Sequence, residues 1–193
     1  ILVSDEIHHD LTFGAVHTPM ATIPGIEDRL VMMTAAMKTF NIAGAHVGNV
    51  IISDENLRAQ FDARLKALGS TPNSFGLIMV EAAYSQEGAL WVDDLCTYLD
   101  ENRQVFDAGI SAIPGLSSMA LEATYLCWVD LSGTGMDAAE FTSRVENTAK
   151  IAANHGPTFG KGGESFLRFN VATPRQKVED AVERLQRAFS DLQ

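Results

Sequence analysis

The chain has 193 residues, 46% of them apolar, and it carries a formal charge of -11 with a pI near 4.7. This composition allows a substantial core, in one large domain or two small ones. The 14 basic residues form no stripe, which argues against nucleic acid as a partner. No apolar run reaches the roughly 18 residues of a membrane span, so no membrane partner is expected.

The first half of the chain is predicted to alternate strands and helices. Apolar or β-branched runs predict strands at residues 1–4, 30–33 and 47–52. The chain starts in the first of these without an initiator Met, which predicts that it is a fragment. A burst of charge at Asp5 and Glu6 ends the first strand.

Capping residues predict the helices of the same half. Ser53 or Asp54 begins a helix that Gly69 ends, and Asn73 begins another through Ala83. A long helix over about 90–110 is expected to connect two domains. The predicted inner faces of the first and the long helix are Leu57, Phe61, Leu65 and Leu68, and Trp91, Leu95, Leu99, Phe106 and Ile110.

The second half has an α+β pattern. Strands are predicted at 124–131, 150–154 and 165–172, with Trp128 in the core, and a helix runs from Asp137 to about Asn147. A capping box predicts the last helix, with Thr173 as the cap, Pro174 in the first turn and Gln176 reaching back. Its buried stripe is Val178, Ala181, Val182, Leu185 and Phe189.

Three charged residues are candidates for chemistry. Lys38 stands in the small and apolar run "TAAMKTFNIAG", so its stem is expected in the interior, and Asp5 follows a strand. Ligands of α/β sheets gather at the carboxyl ends of strands, where these two side chains could meet. Arg168 lies in "SFLRFNVA". Together the three residues supply a carboxylate, an amine and a guanidinium that can bind a carboxylate, which are the groups that a pyridoxal phosphate enzyme needs for amino acids.

Three motifs in order carry a family resemblance over essentially the whole chain: "VSDEIHHDL", "MKTFNIAG" and "HGPTFGKGGESFLRFN". The chain resembles the fold-type I pyridoxal phosphate enzymes of the class I/II aminotransferase superfamily, and most closely the MalY/PatB-type cystathionine β-lyases. The resemblance implies an α/β fold of the PLP-dependent transferase type. It implies residues 1–88 as the end of the large domain and 89–193 as the connecting helix and the small α+β domain.

The resemblance also implies the roles of the site residues. Lys38 would be the Schiff-base lysine, Asp5 the partner of the pyridine nitrogen, and Arg168 the binder of the substrate α-carboxylate. His8 stands where aminotransferases carry a Tyr near the cofactor ring, so it favours a lyase. Thr34, shortly before the lysine, carries the hydroxyl that would contact the cofactor phosphate.

The chain departs from the family pattern in two places. Ala35, Ala36 and Met37 replace the serine that many relatives place before the lysine, and His46 replaces a phosphate-binding arginine. Relatives are about twice as long, and the first half would supply the phosphate loop, the stacking aromatic residue and an Asn. This fragment alone is therefore expected to be inactive, and the full-length protein is expected to be a homodimer.

The implied function is cleavage of cystathionine or another cysteine S-conjugate to a thiol, pyruvate and ammonia. An aminotransferase is the alternative, and a truncated relative without catalysis is a further one. A metal site in "DEIHHD" is disfavoured, because neighbouring His8 and His9 point to opposite faces of a strand. Cys96 and Cys127 fit no CxxC or zinc spacing, which favours the cytoplasm. His17 and His155 receive no role.

Overall fold

The computed structural model describes residues 1–192, which form two compact units. The first unit is Ile1–Cys96, and the second begins at Thr97, inside the long helix Gln86–Ser111. The sequence-based boundary between residues 88 and 89 refers to the domains of a longer protein, and it stays a prediction. No helix within residues 1–192 combines the length and the apolar composition that crossing a bilayer requires.

A three-stranded sheet organises the first unit: β1 (Leu2–Asp5), β2 (Leu30–Thr34) and β3 (Asn49–Ile51). β2 lies in the centre, parallel to β1 and antiparallel to β3. The three predicted strands are present, but the third is shorter than the predicted 47–52. The central strand begins with three buried residues in succession, as expected for a strand covered on both faces.

Four α-helices begin within the first unit: α1 (Ala36–Thr39), α2 (Glu55–Ala67), α3 (Ser74–Ala83) and α4 (Gln86–Ser111). The predicted caps Asp54 and Asn73 are confirmed, because each side chain accepts a backbone N–H of the first turn at 2.7 Å. Gly69 ends α2 with a φ of 63°. These three signals are local, and they gave the helix bounds correctly.

Two predictions of buried faces are wrong in this unit. None of the residues of α2 is buried, and Leu68 next to it is 65% exposed. Trp91 of α4 is 46% exposed, and its ring stacks on Phe40 with centroids 5.4 Å apart. Periodicity identifies which side chains share a helix face, but it does not say whether another element covers that face.

The second unit is built on an antiparallel sheet of order β4-β5-β7-β6. Its strands are β4 (Ser117–Ser118), β5 (Leu126–Asp130), β6 (Asn154–His155) and β7 (Phe166–Asn170). The predicted strand 150–154 is wrong except for its last residue. Buried residues alternate with half-buried or exposed ones along β5 and β7. Trp128, which was predicted in the core, therefore lies half-buried on the outer face with Arg168.

Helices cover the other face of this sheet. α5 (Ala138–Ser143) begins at the predicted cap Asp137 and continues as a π-helical turn, Arg144–Thr148. α6 is Arg175–Ala188. The core contains Phe106 and Ile110 of α4 and the predicted stripe of α6, in which Ala181 is only half-buried.

The predicted capping box of α6 is wrong. Pro174 is the N-cap in an extended conformation (ψ 137°), so the helix begins one residue later than a Thr173 cap requires, and the N-cap residue itself makes no side-chain capping bond. The first amide, of Arg175, instead donates to the Tyr98 hydroxyl of α4 at 2.7 Å. The side chain of Gln176 donates to Asp180 rather than reaching back.

Candidate active site

The carboxyl ends of β1 and β2 meet at one edge of the first sheet. Asp5 lies opposite Met33, and the amide of Glu6 donates to the Met33 carbonyl at 2.8 Å. Thr34 ends β2 one residue further on. The Asp5 side chain is exposed, and its Oδ1 accepts the Ile7 amide at 3.2 Å. The structure therefore brings Asp5 and Thr34 to the edge where α/β sheets bind ligands.

Lys38 lies in α1, which begins two residues after β2 ends. Ala36 and Thr39, three residues apart, form the buried face of this short helix, and Lys38 is exposed on another face. The prediction that the lysine stem enters the interior is therefore wrong for this chain. Within residues 1–192 the Lys38 amine has neither an ion pair nor a hydrogen bond, so it is accessible to a ligand.

A hydrogen-bond chain ties α1 to the segment after β1. Thr39 Oγ1 donates to Asp10 Oδ2 at 2.9 Å, and His9 Nε2 lies 3.0 Å from Asp10 Oδ1. The other ring nitrogen of His9 lies 2.7 Å from the Glu6 carbonyl oxygen. These contacts hold Thr39, the residue after Lys38, against the turn that follows Asp5. No local sequence pattern predicts these hydrogen bonds, because Asp10 and Thr39 lie far apart in sequence.

Glu6, also missed, is a buried carboxylate beside Asp5. Its oxygens accept Ser4 Oγ at 2.9 Å and the Met20 amide at 2.9 Å, and His17 Nε2 lies at 2.8 Å. Burial by itself raises the pKa of the Glu6 carboxyl, but the hydrogen bonds from His17, Met20 and Ser4 outweigh it and lower the pKa below 4.5. Glu6 thus fixes the segment between β1 and residue 20.

Glu6→Gln is expected to destabilise the protein by about 1–3 kcal/mol at neutral pH, because an amide cannot accept all three donors. A lowered folded-state pKa stabilises the fold above pH 4.5, the ordinary value for this carboxyl, and this contribution is lost as the pH falls through the folded value. The stability difference between wild type and variant should therefore shrink below pH 4.5. Urea unfolding across pH measures it; a pH-independent difference would contradict the ionised assignment.

His8 lies in the turn that follows β1, half-buried and in contact with other residues. Its predicted place beside a cofactor ring stays a prediction. No group of three His, Cys, Asp or Glu side chains within residues 1–192 is arranged to hold a metal ion.

The hydroxyl of Thr34 already has a partner at the sheet edge, because Asn49 Nδ2 donates to it at 3.3 Å. Burial and the nearby Asp10 charge raise the pKa of Tyr84, while its bonds to Asn49 and Thr34 act in the opposite direction. A cavity of about 450 Å³ opens beside these residues, bordered by Asp10, Phe40 and Tyr84. Thr34 as a phosphate contact stays a prediction.

Arg168 lies on β7 in the second unit. Its Nη2 donates to Asn154 Oδ1 at 3.1 Å, and its guanidinium carbon lies 4.4 Å from the ring centroid of Phe159. The Nε of Arg168 is buried and has no hydrogen-bond partner among residues 1–192. A guanidinium whose charge no carboxylate of these residues compensates fits a carboxylate ligand.

The aminotransferase class I and II family matches residues 1–185 of this chain. Cystathionine beta-lyase PatB of Bacillus subtilis (strain 168) is 38% identical over 193 residues, which cover 98% of this chain and 50% of the relative. Protein MalY of Escherichia coli (strain K12) is 32% identical over 185 residues, covering 94% and 47%. The crystal structure of cystalysin from Treponema denticola, which contains pyridoxal 5'-phosphate, matches with a TM-score of 0.92 and 32% identity over 100% of this chain and 50% of that one.

The chain therefore belongs to the aminotransferase class I and II family, a family of pyridoxal phosphate enzymes. This confirms the predicted α/β fold, the cofactor of the family, and the similarity to cystathionine β-lyases. The chain spans about half the length of the curated relatives it matches. The roles of Asp5, His8, Thr34, Lys38 and Arg168 stay predictions.

Proposed function

We propose that the full-length protein is a pyridoxal phosphate-dependent carbon–sulfur β-lyase. It cleaves cystathionine or another cysteine S-conjugate to a thiol, pyruvate and ammonia. The observation that carries this proposal is the exposed Asp5 carboxylate and the accessible Lys38 amine after two neighbouring parallel strands. The similarity to relatives named as cystathionine β-lyases supports the reaction.

The donor set at the sheet edge fits this cofactor. Asp5 would hold the pyridine nitrogen protonated, Lys38 would hold the cofactor covalently, and His8 and Thr34 would contact its ring and its phosphate. When bound, the cofactor supplies an electron sink for the bonds at the substrate Cα. The protein supplies the binding, the orientation and the proton transfers.

The proton transfers are assigned to Lys38. Once the amine of the substrate has displaced Lys38 from the cofactor, the freed Lys38 amine would take the Cα proton, and the electron pair left behind would expel the β-sulfur as a thiolate. The lysine would then return the proton to the departing sulfur, and the released aminoacrylate would take up water and lose ammonia to give pyruvate. Because Thr39 is anchored to Asp10, α1 holds the lysine in a fixed place while its side chain moves between the two atoms.

Arg168 would bind the α-carboxylate of the substrate through two parallel hydrogen bonds. Arg168→Lys is expected to lower kcat/KM by about 100-fold, mainly through KM, because an ammonium group cannot present a planar fork. Arg187→Lys, on the exposed last turn of α6, is the matched control and should leave the rate unchanged. Steady-state kinetics of the full-length enzyme measure both; an unchanged KM in Arg168→Lys would contradict the assignment.

The reaction is tested by incubating the full-length protein, loaded with cofactor, with cystathionine. Stoichiometric pyruvate and homocysteine without any added keto acid support the lyase. Products that require a keto acid as amino acceptor would identify an aminotransferase instead. No turnover of any amino acid would favour the non-catalytic alternative.

Assembly and location belong to the same proposal. A homodimer of the full-length protein rests on the family resemblance, and sedimentation velocity tests it. The cytoplasm is supported by Cys96 and Cys127, which are both free thiols. The chain by itself is proposed to be inactive, because it spans only about half the length of its relatives.

A further inference from the structure

Arg168 is held in its sheet by the two neighbouring strands. In the ladder it pairs with Trp128 of β5 on one side and with Asn154 of β6 on the other. Side chains of directly opposed residues share a face of the sheet. This places Asn154 beside the guanidinium, and the amide oxygen accepts Nη2 at 3.1 Å.

An aromatic ring fixes the plane of the same guanidinium. Phe159 is 51% exposed, yet its ring lies 4.4 Å from the guanidinium carbon of Arg168. Trp128 contacts the Phe159 ring edge-on at 5.5 Å and itself stacks on Phe166 at 5.1 Å. The ring is therefore supported from the sheet, although it faces solvent.

The loop that carries Phe159 is tied closely to the segment before β7. A Cβ at Gly156 would lie 2.0 Å from the Gly163 carbonyl oxygen, so the two backbones touch and only glycine fits. Thr158 Oγ1 donates to the His155 carbonyl within the same turn at 2.6 Å. This packing holds the turn Gly156–Phe159 in place beside Arg168.

Both partners of the guanidinium are electrically neutral. Within residues 1–192 no carboxylate forms an ion pair with Arg168, and its buried Nε has no partner. A ring face occupies none of the N–H donors, and an amide oxygen occupies one of them without cancelling the charge. The side chain is thus oriented while its positive charge stays uncompensated by any carboxylate of residues 1–192.

We propose that Asn154 and Phe159 are positioning residues that hold Arg168 ready for the α-carboxylate of an amino acid, without competing for it. This rests on the role given to Arg168 in the proposed function. Because the guanidinium of Arg168 is already held in its binding orientation, less conformational entropy is lost when the ligand binds. The neutrality of residue 154 is the specific requirement, because a carboxylate there would take the place of the ligand.

Two pairs of variants of the full-length holoenzyme test this. Asn154→Asp keeps the shape and adds a competing charge, and Asn56→Asp makes the same change on the exposed surface of α2. Phe159→Leu removes the ring, and Phe159→Tyr keeps it. Binding of L-alanine and of its methyl ester is measured by calorimetry, after melting curves have shown that each variant is folded.

Asn154→Asp is expected to weaken binding of L-alanine about tenfold, equal to one decade in Kd, and to change binding of the ester less than twofold. Phe159→Leu should weaken L-alanine binding about threefold to fivefold, and Phe159→Tyr should restore it. Asn56→Asp should bind both ligands as wild type does. If Asn154→Asp does not fold, the comparison of Phe159→Leu with Phe159→Tyr tests the proposal.

L-Alanine has no β-sulfur, so these results do not depend on lyase chemistry. Selective loss of L-alanine binding in Asn154→Asp supports the inference even if cystathionine yields no pyruvate. If Arg168→Lys weakens L-alanine binding but Asn154→Asp and Phe159→Leu do not, the inference is overturned. Equal loss for alanine and ester would also overturn it, because only a general structural role would affect both.

Discussion

Replacing Lys38 with alanine is expected to lower pyruvate release from cystathionine by at least about 10³-fold. The amine is accessible, has no partner within residues 1–192, and follows the strand that pairs with the one ending at Asp5. Because the side chain is exposed and Ala36 and Thr39 form the buried face of α1, the substitution should leave the fold intact. Activity, visible absorbance and melting temperature of the full-length protein are measured together.

Lys66→Ala is the matched control for this loss. Lys66 is also exposed, on α2, and pairs with Asp62 at 2.6 Å, a surface ion pair that contributes little to stability. The control should keep full activity and the cofactor absorbance, whereas Lys38→Ala should lose the lysine-dependent absorbance with the activity. A Lys38→Ala enzyme that retains a tenth of the wild-type rate would remove this lysine from the mechanism.

Asp5→Asn is expected to lower kcat by about 100-fold, because a neutral amide no longer favours protonation of the pyridine nitrogen. The amide oxygen of Asn can still accept the Ile7 amide that Asp5 Oδ1 accepts at 3.2 Å, so the turn after β1 should persist. The measurements are kcat and the pH dependence of the visible absorbance of the loaded enzyme.

Asp137→Asn controls for the same chemical change at the cap of α5. The Asp137 side chain accepts the Glu140 amide at 2.9 Å, and Asn caps a helix about as well as Asp does. The control should match wild type in rate and absorbance. Unchanged kcat in Asp5→Asn, with an unchanged absorbance, would show that this carboxylate does not serve the cofactor.

Local signals in the sequence gave the helix starts, whereas burial required the tertiary structure. The caps Asp54, Asn73 and Asp137 each act within three residues, so the sequence contains the whole interaction. The same logic failed at Thr173, because the extended Pro174 moves the start of α6 and Tyr98 caps it from another helix. Trp91 fits a helical stripe but has too few neighbours to be buried.

In the candidate site too, some features follow from local sequence and others depend on the tertiary structure. The placement of Asp5 at a strand end could be predicted, because strand ends are visible in the pattern of apolar residues. The bond between Thr39 and Asp10 joins positions 29 residues apart, and the Asn154 contact to Arg168 depends on the register of two strands. Neither the contact nor the register is encoded in a local pattern.

The most direct test of the account is to locate the cofactor on the chain. The full-length protein is loaded with pyridoxal phosphate, reduced with borohydride so that the covalent link becomes permanent, digested, and analysed by mass spectrometry. The modification is expected on the peptide that contains Lys38. Modification at Lys66, Lys150, Lys161 or Lys177 with Lys38 left free would contradict it.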